Sequence, residues 1–100
     1  MVGTKNEIAL AEKVKHYRKL TEEALGKASI LQGITPAERK KAEDFLSMAR
    51  NYFSDARHFE EKGDLPTALA AYSYSHAWLD AGVRAGWLDG KGDDKLFTLP

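Results

Sequence analysis

Hydrophobic positions recur along this chain with a helical period. Leu10, Val14, Tyr17, Thr21, Ala24, Ala28 and Leu31 fall at alternating spacings of four and three, which puts them on one stripe of a helix. Thr4 followed by Glu7 supplies a capping box ahead of that stripe. Gly33 marks its end, with Gly26 as an earlier point of fraying. A second stripe runs through Ala42, Phe45, Ala49, Tyr52, Ala56 and Phe59, widened by Leu46 and Phe53. It starts from Thr35-Pro36-Ala37-Glu38, which joins a capping residue, a proline suited to the first turn and a glutamate at the third helical position. Lys62 and Gly63 stop it. Asp64 then caps a third stripe, Leu65, Leu69, Tyr72, His76, Leu79 and Val83, closed by Gly86. These patterns predict helices over about 5–31, 36–62 and 65–85.

Links of a few residues between long helices force antiparallel neighbours. The expected fold is therefore all-α: a three-helix antiparallel, up-down-up bundle over residues 1–88 with a short irregular C-terminal tail over 89–100. Leu96, Phe97 and Leu99 give that tail an apolar end able to dock on the bundle. The hairpin around Phe59, Gly63, Asp64 and Tyr72 has a tetratricopeptide-like look, but no second copy stands about 34 residues away.

Composition narrows the function more than the fold. The chain holds 15 basic and 15 acidic residues in 100, so it lacks the basic excess from which nucleic-acid binders draw most of their affinity. Arg39, Lys40 and Lys41 are consecutive, yet Glu38, Glu43 and Asp44 surround them, as on an ordinary solvated helix face. Cysteine is absent, which removes disulfides, thiolate metal sites and thiol nucleophiles together. The opening MVGTKNE lacks the charged-then-apolar pattern of a secretory leader, and Leu65–Leu88 carries too many polar groups for a membrane span. A cytoplasmic, membrane-free protein is expected.

The third helix departs from the other two. Between Leu65 and Leu79 it carries no charged residue, and apolar side chains surround its axis. A bundle of three covers only one broad face of each helix, so apolar surface around Ala70, Ala71, Tyr74, Trp78, Ala81 and Trp87 is left over, unless the tail folds back across it. Ala77, Ala81 and Ala85 allow a second helix to come close. The interface candidates are Tyr74, Trp78, Trp87 and Leu88.

Candidate chemistry is sparse. His76 falls on the apolar stripe, where it reads first as a core histidine hydrogen-bonded to a facing side chain and second as a base or ligand. Asp80 and Arg84 stand four apart in the order that favours a helix-surface ion pair. His16, His58 and His76 lie on three different helices without metal-site spacing, and Asp89-Gly90-Lys91-Gly92-Asp93-Asp94 lacks the ligand pattern of a calcium loop. No metal, cofactor or catalytic residue is assigned.

The segments Met48–Ala56, Phe59-Glu60-Glu61-Lys62-Gly63-Asp64 and Ala68–Gly82, the last containing Tyr74-Ser75-His76-Ala77-Trp78-Leu79-Asp80, resemble a small archaeal family named domain of unknown function 357. The likeness spans about residues 48–88 and a less specific helical half before them. It implies a compact helical bundle with no assigned activity, in which Tyr52, Asp55, Gly63, Asp64, His76, Asp80 and Gly82 belong to the family pattern. Two functions follow as expectations. One is a non-enzymatic protein-interaction or self-association module using helix 3 and the tail, with a protein partner or a second copy. The alternative is a small-ligand or enzymatic site formed where Tyr52, Asp55, His76 and Asp80 meet between helices 2 and 3.

Overall fold

A computed structural model describes residues 4–100; the first three residues of the N-terminal leader reading lie outside them. Three helices dominate: α1 (Lys5–Lys27), α2 (Pro36–Glu61) and α3 (Leu65–Arg84). Both predicted capping boxes form. Thr4 and Thr35 each accept the backbone N–H of the glutamate three residues on, and Glu7 and Glu38 each accept the backbone N–H of their threonine. Asp64 caps α3 by accepting the Thr67 N–H. Gly63, at φ +83°, makes the left-handed turn that folds α3 straight back along α2.

α1 ends at Lys27, four residues short of the expected Leu31. Ala28 turns extended, and Ser29–Ile30 becomes a short strand, β1, paired antiparallel with β2 (Leu88–Asp89). The Leu31 N–H then donates to the Trp87 carbonyl. That ladder ties the link between α1 and α2 to the start of the tail.

The molecule is a rod of 54 × 23 × 16 Å with its core in two parts. Towards the α2–α3 turn, Val14, Ala56, Ala68 and Tyr72 pack together. Towards the ladder, Ala24, Ala42, Leu46, Ala49, Leu79, Val83 and Leu88 enclose Leu96 and Phe97 from the tail. The buried alanines of α2 let α3 lie against it closely enough for the Ser75 hydroxyl to donate to the Ala49 carbonyl at 2.6 Å. Gly82 serves the same end against the ladder: a Cβ there would stand 2.4 Å from Leu88 Cδ1. Leu88 is therefore core, only 2% exposed, and not the interface residue expected from sequence. Among the described residues no helix is long and apolar enough to cross a membrane.

Candidate functional site

On α3, residues two apart point to nearly opposite sides. Ala68, Tyr72, Ser75, Leu79, Gly82 and Val83 turn inward and are buried. The intervening outer set, Thr67, Ala70, Tyr74, Ala77 and Ala81, is exposed. The expected site residues divide between the two flanks of this helix.

His76 and Asp80 face α1 and the tail. The His76 Nε2–H donates to the Leu96 carbonyl at 2.5 Å; because a carbonyl only accepts, the proton belongs on Nε2. Nδ1, 3.1 Å from Thr21 Oγ1, then accepts that hydroxyl proton. Asp80 takes the Thr98 N–H at 2.9 Å, and Arg84 gives an N–H to the Leu99 carbonyl at 2.8 Å. The expected Asp80–Arg84 ion pair is thus replaced by two separate holds on the tail, since unpaired tail backbone offers both groups better-placed partners. An open cleft of about 390 Å³ beside His76 is lined by Tyr17, Ser73, Asp80, Asp94, Lys95 and Thr98. Both imidazole nitrogens are engaged, one with Thr21 and one with the tail backbone, so His76 clamps the tail to α3.

The tail itself is ordered by its aspartates. Asp89 accepts the Lys91 N–H, and Asp93 accepts those of Lys95 and Leu96 as well as the Lys27 ammonium at 2.8 Å. The Lys27 ammonium and these backbone donors hold the Asp93 carboxyl below its usual range. Among the described residues no cluster of His, Cys, Asp and Glu suited to a metal ion is found.

Tyr52 and Asp55 lie on the other flank. The Tyr52 and Tyr74 rings meet at 4.7 Å, tilted by 45°. Tyr52 and Asp55 therefore do not converge with His76 and Asp80 into one pocket: the body of α3 stands between the pairs. On their side, a hollow of about 240 Å³ is lined by Tyr52, Asp55, Phe59, Thr67, Ala70, Ala71 and Tyr74. A second, of about 250 Å³, is lined by Tyr74, Ala77, Trp78 and Ala81. Tyr74 rises between them, 57% exposed. The tail reaches neither hollow. Trp78 and Trp87 are half-buried behind this face, each edge-on to Phe45 at 4.9 and 5.1 Å, and Lys41 lies over the Trp87 ring at 5.3 Å.

This apolar face lies wholly within the segment that matches a known family. Residues 16–88 match the sequence profile described as protein of unknown function (DUF357). The chain belongs to that family. No curated protein and no solved structure matches it. The DUF357 segment contains α2, α3, the C-terminal half of α1 and both hollows, whereas Leu96, Phe97 and the rest of the tail lie beyond it.

One polar cluster of this DUF357 protein escaped the sequence reading. Tyr72, fully buried, donates its hydroxyl to Glu60 Oε1 at 2.7 Å, and Glu60 Oε2 takes Arg18. Burial and then the Glu60 carboxylate push the Tyr72 phenol well above its usual range. Tyr72 follows Glu60 across the helical turn, so that pair had a signal in the sequence. Arg18, 42 residues away from Glu60, had none.

Proposed function

We propose that this chain is a non-enzymatic protein-interaction module whose contact surface is the outer face of α3. One observation carries the reading: Thr67, Ala70, Tyr74, Ala77 and Ala81 form an uncharged exposed seam, with two hollows on either side of a protruding tyrosine. Exposed aromatic surface beside apolar hollows is what helix partners use, and contiguous patches of this kind mark contact sites on soluble proteins. The polar groups elsewhere favour this reading over a catalytic one, because His76, Asp80 and Arg84 are engaged with tail backbone. A cytoplasmic place of action accords with a chain free of cysteine.

A photo-crosslinking amino acid in place of Tyr74 tests the reading in lysate of the source cells. A discrete adduct from position 74, with none from the same residue at exposed Lys40 on α2, is expected. Adducts from both positions alike, or from neither, would contradict it.

A further inference from the structure

We propose that the occupant of this face is a second copy of the chain, packed antiparallel on α3; the inference rests on the docking role just given to that face. The seam Thr67, Ala70, Tyr74, Ala77, Ala81, Arg84 advances by three and four residues alternately, the spacing of a coiled-coil contact line. Two such seams running in opposite directions meet in paired layers. Tyr74 falls opposite the partner's Ala77, Ala70 opposite the partner's Ala81, and Thr67 opposite the partner's Arg84. The Tyr74–Ala77 and Thr67–Arg84 layers set a larger side chain against a smaller one, and the Ala70–Ala81 layer between them lets the helices approach closely. The Tyr74 ring enters the hollow lined by the partner's Ala77, Trp78 and Ala81, and the partner's tyrosine enters the equivalent hollow in return.

A parallel pairing fails this test, since it stacks Tyr74 on its own image and leaves the hollows empty. It also sets like charges together at the seam ends. The antiparallel one brings opposite charges together: Asp64, one turn before Thr67, reaches the partner's Arg84, and the contact occurs twice by symmetry. Arg84 spends one N–H on Leu99 and keeps further donors for a carboxylate. Antiparallel helix dipoles add to the preference. With 15 charges of each sign, the chain presents no net repulsion to its own copy.

The contact is modest in size. A 20-residue helix is about 30 Å long, and Tyr52, Asp55 and Phe59 of α2 widen the strip beside it. A strip of this length belongs with the smaller protein contacts, so a weak, concentration-dependent dimer is expected.

Because the native chain has no cysteine, single-cysteine variants of the full chain read the register directly. Ala70→Cys and Ala81→Cys both alter exposed positions, and circular dichroism confirms that they fold. Mixed under mild oxidation, they are expected to give the 70–81 mixed disulfide at least tenfold in excess over either like pair. Adding Tyr74→Lys to both should abolish it. Like pairs in equal or greater yield would overturn the antiparallel arrangement. No disulfide, together with a position-74 adduct to a different polypeptide, would overturn self-pairing and leave the docking role standing. No disulfide and no adduct would remove both.

Discussion

Single residues set how closely the layers approach. Gly82 is the sharpest case, because an added Cβ meets Leu88 at 2.4 and 2.7 Å and Leu88 is held in the core. Gly82→Ala should therefore cost about 2 kcal/mol as overpacking, measured by denaturant unfolding. Gly26→Ala meets nothing within 4 Å and should stabilise α1 by about 0.5 kcal/mol in the same assay. Tyr72 gives a pH test. Its phenol titrates higher in the folded than in the unfolded chain, so its contribution is intact below the unfolded value of about 10. It is then lost as pH rises towards the folded value. Unfolding free energy should decline above about pH 10, and Tyr72→Phe should flatten that decline while costing about 1.5 kcal/mol at neutral pH. Gly82 entered the sequence reading only through the family pattern, because the Leu88 side chain it makes room for is brought there by the ladder. The Tyr72–Glu60–Arg18 cluster was only half legible, because Arg18 joins it from a helix far away in sequence.

At the level of elements, local chemistry and tertiary pairing divide the outcome. The two threonine–glutamate boxes and the Gly63-Asp64 stop and cap locate the starts of all three helices, since each acts within one turn of chain. The end of α1 was misplaced because its apolar stripe continues through Ala28 and Leu31. The chain there is drawn into a ladder with Leu88–Asp89, a partner some 60 residues on that no local pattern announces. The split of Tyr52 and Asp55 from His76 and Asp80 has a similar origin. Periodicity puts His76 and Asp80 on one face of α3, but which neighbour that face meets is decided by how the helices pack. The tail is a structural element in its own right, with Leu96 8% and Phe97 3% exposed in the core. Phe97→Ala should cost about 3 kcal/mol and speed amide exchange from Asp93 to Thr98, read by hydrogen-exchange mass spectrometry. Tyr74→Lys alters an exposed site and should leave unfolding free energy within about 0.5 kcal/mol.

For the molecule as a whole, the lack of charge on α3 from Leu65 to Leu79, with apolar side chains around its axis, was the feature in the sequence that pointed beyond the fold. One side of that helix is satisfied by α2, a second by α1 and the tail, and the third keeps Tyr74 between two hollows. Sequence alone left open that the tail might cover this third side. The tail instead follows the flank where His76, Asp80 and Arg84 offer it hydrogen bonds, so the apolar seam remains free for a copy of the same chain. Sedimentation equilibrium of the full chain and of Tyr74→Lys, from about 1 µM to about 1 mM, tests this most directly. The account predicts that the native chain rises from its 11.1 kDa monomer to twice that mass across the range, with the variant remaining monomeric. A native chain that stays at the monomer mass throughout, or a variant that dimerises as strongly, would contradict it.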